Sequence, residues 1–172
     1  MAINQKQWTN LFRFCLGVFL GTAFCMKWME SDFVSQGQPF TIIGLEISYP
    51  AEKITAIMSG LDPRVHTILG YHLYFDFAFM VGVYPGIAAL CMMAGSRLNK
   101  GGLRNGLLIL AGLQLLGWAC DIYENKCLLE WLNGRVAGDL SLYHWVVRIK
   151  WAIALSGALV SILVLLFRKK PK

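Results

Sequence analysis

Residues 106–132 read GLLILAGLQLLGWACDIYENKCLLEWL. About 20 predominantly apolar residues suffice to cross a bilayer, and this stretch is longer than that. It also carries Asp121, Glu124 and Asn125 toward its C-terminal end. A carboxylate at membrane depth is costly, so it is normally paired or functional. The stretch therefore predicts a small multi-span membrane protein with a polar centre.

Composition agrees. The chain has 172 residues, 56% of them hydrophobic and 15% charged. Soluble domains carry roughly 25% charged residues. The length fits one domain over residues 1–172. The net charge of +6 does not signal nucleic acid, because the basic residues flank apolar runs and form no basic face. The five cysteines form no CxxC pair and read mostly as small apolar fillers. Cys25 and Cys127 fall near the same predicted surface, which makes them the one candidate disulfide.

Hydropathy predicts four spans, at about residues 11–29, 67–94, 106–129 and 143–167. The first ends in Lys-Trp-Met-Glu with no small-residue cleavage site, so it reads as a retained span and not a signal peptide. Four crossings put both termini on one side. Lys6, Arg13, Arg97, Lys100, Arg104 and the RKKPK tail lie on that side, and no acid does. The positive-inside rule makes it cytoplasmic. In a bacterium this places the protein in the plasma or inner membrane. In a eukaryote Lys169 and Lys170 resemble an endoplasmic-reticulum retrieval signal.

An outer loop of about residues 30–66 follows the first span. Its FTIIGLEISY segment, from Phe40, is rich in β-branched residues and predicts a β-strand or hairpin arm. Pro50 then opens AEKITAIMSGL, where Ile54, Ile57, Met58 and Leu61 share one face. That spacing predicts a short amphipathic helix, too short to span. The expected fold is an all-α membrane protein, a four-helix bundle whose outer loop holds a short β segment and this helix.

The polar centre follows from depth. At about 1.5 Å per residue, Asp76 in span two, Asp121 in span three and Lys150 in span four reach one layer of the outer half. Asp121 and Asn125 are four apart on one face, with Glu124 beside them. Tyr143, Val147 and Lys150 form one stripe of span four, while His144 and Arg148 form another. Lys150 is therefore the expected partner of Asp121, and Arg148 replaces it if the helix is rotated. His72 lies one turn from Asp76, the spacing of an oriented general base. Tyr84, before Pro85, and Trp118 are expected to line the base of a pocket. Gly112 and Gly117 are expected to permit close helix approach.

Some chemistry is excluded. The three histidines lie in separate segments without HxxH or HExxH spacing, so no metal site is expected. There is no phosphate loop, dinucleotide fingerprint or activated-serine motif, and no cofactor is expected.

FTIIGLE at Phe40, Asp76 with Tyr84, DIYEN at Asp121 and Lys150 together resemble an uncharacterised family of small four-span membrane proteins with an Asp-x-x-Glu-Asn motif in the third span. The resemblance covers nearly the whole chain. It implies a common architecture and no activity. The paired cysteines of disulfide-forming quinone reductases are absent. The layout is faintly similar to that of the four-span sterol-isomerase and sterol-binding group, and layout does not carry a substrate.

These observations support three functions. The first is a pocket facing the outer leaflet, in which Lys150, Asn125, Tyr84, Trp118 and Arg148 bind a lipid or other hydrophobic small molecule. The second is a lipid- or isoprenoid-modifying enzyme using Asp76, Asp121, Glu124 and His72 as acids, bases or relays. The third is an accessory subunit whose polar cluster is structural, with a homo-oligomer or another membrane protein as partner. Nucleic acid is not an expected partner.

Overall fold

The computed structural model describes residues 4–168. The Lys169–Lys170 retrieval reading lies outside them. Among the described residues there are five α-helices: α1 (Gln5–Met29), α2 (Ala51–Ser59), α3 (Pro63–Gly95), α4 (Gly102–Leu132) and α5 (Ser141–Phe167). The four long ones, α1, α3, α4 and α5, are long and apolar enough to cross a membrane. They form an all-α bundle consistent with an integral multi-pass membrane protein.

Local chemistry sets the helix starts. Asn4 and Gln7 form a reciprocal capping box ahead of α1. Asp62 accepts from the amides of Arg64 and Val65 ahead of α3, and Pro63 occupies the first helical position, where no amide donor is needed. The helix continues through Pro85.

Between α1 and α3 the chain folds into a plug. Strands β1 (Val34–Ser35) and β2 (Gln38–Pro39) pair antiparallel. Gln36 and Gly37 turn between them with φ of 51° and 76°, the left-handed pair of a tight two-residue hairpin. The strand expected over FTIIGLEISY is not there. The β segment lies just before it, and Gly44–Ser48 is a wide π-helical turn. Two features override β propensity. Thr41 Oγ1 accepts the Gly44 amide as a helix cap does, at 3.0 Å. Ile42 and Leu45, three apart, are both buried, while Ile43 and Ile47 are exposed. A strand would have sent Ile42 and Leu45 to opposite faces.

The amphipathic helix forms as expected: Ile54, Ile57 and Met58 of α2 are buried. Ser35 Oγ donates to Ile57 O at 2.9 Å and ties the hairpin to it. Phe33, Phe40, Leu45, Ile54, Leu69, Leu73, Leu128, Tyr143 and Val147 belong to one continuous core, so the plug closes this end of the bundle. Cys91, Ala94, Leu107 and Val164 form a second, smaller core toward the other end.

Helix α3 is the hub and packs on α1, α4 and α5. All five cysteines are free thiols, so Cys25 and Cys127 are not bonded. They sit on α1 and α4, two helices that α3 holds together by packing against each. Gly117 does permit a close approach, to the Tyr84 ring, whereas Gly112 faces open space.

The tightest helix contact is at Gly82. A Cβ there would lie 2.6 Å from Phe19 N and 2.9 Å from Phe19 Cα, both rigid backbone atoms of α1. Gly82→Ala is therefore expected to push α1 off α3 and cost about 1–3 kcal/mol, the usual range for overpacking. Thermal unfolding of the purified variant checks this. An unchanged midpoint would show that α1 is not seated through Gly82.

Candidate functional site

Lys150 is the centre of the site. It lies on the inward stripe of α5 with Tyr143 and Val147, and all three are buried. Its ammonium is 2.7 Å from Asp121 Oδ1, 2.5 Å from Glu124 Oε2 and 3.7 Å from Glu46 Oε2. The three carboxylates come from α4 and from the π-helical turn of the plug. One cation thus joins α5, α4 and the outer loop.

Asp121 has both oxygens engaged, because Tyr84 Oη donates to Oδ2 at 2.8 Å. The Tyr84 ring fits over Gly117 and stacks on Trp118 with centroids 6.4 Å apart. Asn125 Nδ2 donates to Leu73 O at 2.8 Å and fastens α4 to α3. Glu124 and Asn125 are almost fully buried.

The expected site residues divide. Asp121, Glu124, Lys150 and Tyr84 converge, with Asn125 and Trp118 beside them. Asp76 is partly buried, within the electrostatic reach of Asp121, Lys150 and Glu46, and has no ion pair of its own among the described residues. His72 does not pair with Asp76. Its Nε2 faces Glu30 Oε1 at 3.9 Å, and its ring meets Phe33 edge-on. Helical side chains lean toward their helix N-terminus, and for His72 that direction leads to the plug. Arg148 points outward and sits 5.6 Å from the Trp145 ring. It is two residues from Lys150, so one rotation of α5 cannot bring both inward.

Two residues of the site were not expected. Glu46 lies in a loop segment, FTIIGLE, although an acid between Leu45 and Ile47 is a visible signal. Gln114 is a lone amide between Leu113 and Leu115. Its Nε2 donates to Leu110 O and to Ile153 O across the α4–α5 interface. Glu46, Asp76, Asp121 and Glu124 are four carboxyls around a single ammonium.

A cavity of about 290 Å³ adjoins this cluster. Trp8, Leu11, Tyr84, Pro85, Ala88, Ala111, Gln114, Leu115 and Trp118 line it, from α1, α3 and α4. Tyr84 is shared: its ring is cavity wall and its hydroxyl binds Asp121. Tyr84 and Trp118, expected at the base of a pocket, are both among its lining residues. It lies on the terminal side of the cluster, while the outer side is filled by the plug.

Two predictions follow from this geometry. Removing one member of a buried ion cluster strands the others, at about 3–5 kcal/mol. Lys150→Met strands three carboxylates, whereas Asp121→Asn leaves Lys150 with two. Lys150→Met should therefore be clearly the more destabilising in a denaturation series. Equal losses would mean that Lys150 is not the hub.

The second concerns pH. Burial pushes the Glu46 carboxyl above its ordinary value of 4.5; the Lys150 ammonium opposes the shift and Asp121 reinforces it. The folded chain thus holds this proton more tightly than the unfolded chain does. The stabilisation is complete below the ordinary value and is lost as pH rises from there toward the folded value. Hydrogen-exchange protection of residues 41–49 should fall over that rise, and Glu46→Gln should flatten the dependence. The same slope in both proteins would remove Glu46 as its source.

No protein-family model, curated protein or solved structure matches this chain.

Proposed function

We propose that the chain is one four-span membrane domain, with cytoplasmic termini, that binds a lipid or other hydrophobic small molecule in the cavity beside Tyr84. One observation carries this reading: an apolar, aromatic-walled concavity whose wall residue Tyr84 is hydrogen-bonded to Asp121 and through it to Lys150. Ligand sites combine mostly apolar lining with a few placed polar groups, and this cavity lies near the lower end of their usual 300–1,000 Å³ range. The cluster fixes the Tyr84 ring, and so supports a preformed wall. The basic flank at Arg97 and Arg104, with no acid near it in sequence, supports the orientation.

A structural role for the cluster has its own support, since Lys150 is enclosed by carboxylates from two elements besides its own helix. The two readings are compatible: the cluster can brace the wall that the ligand touches. Acid–base catalysis by Asp121 fits less well, because Lys150 and Tyr84 occupy both of its oxygens.

Ala88 and Ala111 line opposite helices of the cavity. Ala88→Phe or Ala111→Phe should fill it. Native mass spectrometry of protein purified in mild detergent is expected to show a bound lipid mass, reduced at least about tenfold in either variant with helicity unchanged. A bound mass that persists in both variants would refute binding at this cavity.

A further inference from the structure

The cavity beside Tyr84 has no Asp, Glu, Lys or Arg in its lining. Leu115, one of its wall residues, is 71% exposed, so the concavity opens to the surface of the bundle. Trp8 and Leu11 of α1 supply another wall, and α3, which packs on both α1 and α4, lies between them. In a bilayer that surface is covered by acyl chains. Lipid tails are as apolar as leucine, so an apolar slot has little power to choose among them. Selection has to come from the polar end of the ligand, outside the slot.

Depth says where that end lies. Ala111 is nine residues into α4 from Gly102, about 14 Å along the helix, and Ala88 is seven residues from the end of α3, about 11 Å. The hydrocarbon core is about 30 Å thick, so the slot belongs to the half on the side of the termini. A chain lying in it carries its head group toward the turn between α3 and α4.

Arg104 stands there. It precedes Ala111 by seven residues, which is two turns, so Arg104, Leu108, Ala111, Leu115 and Trp118 run along one face of α4. Helical side chains lean toward the helix N-terminus, which carries this guanidinium away from the slot and into the head-group layer. Arg104 is half-buried and has no ion pair among the described residues. No Asp or Glu occurs before Glu30, between Asp76 and Asp121, or after Asp139, so no acidic side chain belongs to this end of the bundle. Arg97, in the same turn, is already engaged: its Nη1 donates to Leu165 O at 2.5 Å and Arg168 O at 3.4 Å.

We propose that the slot holds an acyl chain of an anionic phospholipid from the leaflet on the side of the termini, with Arg104 binding the head-group phosphate. The proposal rests on the cavity reading above and adds the class of lipid, its leaflet and the residue that selects it. Apolar slot and basic rim divide the work: the slot seats the chain, and Arg104 reads the charge.

The test uses full-length protein in nanodiscs of equal parts phosphatidylglycerol and phosphatidylcholine with identical chains, released into mild detergent and read by native mass spectrometry. Wild-type protein is expected to retain one lipid, with phosphatidylglycerol enriched about fivefold, the preference that one basic residue confers at a membrane surface. Arg104→Gln should bring the two lipids level while one lipid is still retained. Arg104→Lys keeps a cation and should keep most of the preference. Lys6→Gln removes the same charge from the face of α1 opposite Trp8 and Leu11, and should change nothing. Ala88→Phe should release both lipids. Equal retention of the two lipids by wild-type protein would overturn the head-group proposal and leave the cavity reading standing. So would an equal loss of preference in Lys6→Gln and Arg104→Gln, because diffuse charge would then be its source. Lipid that stays bound to Ala88→Phe, or no retained lipid in any of the proteins, would overturn the cavity reading and the proposal with it. The wild-type comparison decides the matter even where a variant fails to fold.

Discussion

The Lys150 ammonium is the interaction on which the rest of this structure depends. A cation at membrane depth is tolerated only when it is enclosed by opposite charge. Here Asp121 and Glu124 supply that charge from α4, and Glu46 supplies it from the outer loop. The rotations of α4 and α5 are thereby coupled, because turning either helix would take an ion out of the cluster. The loop is coupled as well: its π-helical turn carries Glu46 inward, and the rest of the plug packs around that point. Buried ion pairs repay little of their desolvation, so what such a cluster would supply is register more than net stability.

The two halves of the bundle differ as a consequence. The outer half is filled by a core drawn from the plug, α3, α4 and α5. The terminal half has a smaller core, and a gap remains where α1, α3 and α4 approach. Helix α1 is seated on α3 through Gly82 and Cys15 rather than through charge. Tyr84 stands at the boundary, with its hydroxyl in the filled half and its ring on the open one. Any ligand in the gap therefore meets a wall positioned by the ion cluster, without touching the cluster's ions. The Asp121 carboxylate has lysine on one oxygen and tyrosine on the other. The surface facing the gap is apolar and aromatic.

Much of this was legible in the sequence. Four spans and the pairing of Asp121 with Lys150 follow from transfer cost, and the short helix after Pro50 from periodicity; Asp76, expected in the same layer, has no ion pair among the described residues, and Glu124 stands beside Lys150 instead. That cost is a sum over neighbouring residues or, for an ion at depth, a penalty large enough to demand a partner. Glu46 escaped because it lies outside every span, so its burial is created only when the plug folds. Gln114 escaped because a neutral amide is a weaker signal than a charge. His72 and Asp76 are four apart, which sequence spacing reads as a pair, yet the segment just after α1 offered His72 other neighbours, Glu30 and Phe33.

The sequence by itself determined which segments are helical and apolar enough to cross a membrane and which charges had to be reconciled, because hydropathy and charge are properties of local stretches. It left open whether Lys150 or Arg148 turns inward and where the bundle remains unfilled, and it put the β segment over FTIIGLEISY, whereas the strands are Val34–Ser35 and Gln38–Pro39. Those were decided by tertiary structure. The facing of a helix depends on every neighbour at once, and a cavity is made by side chains that are not there. No window along the chain contains either quantity.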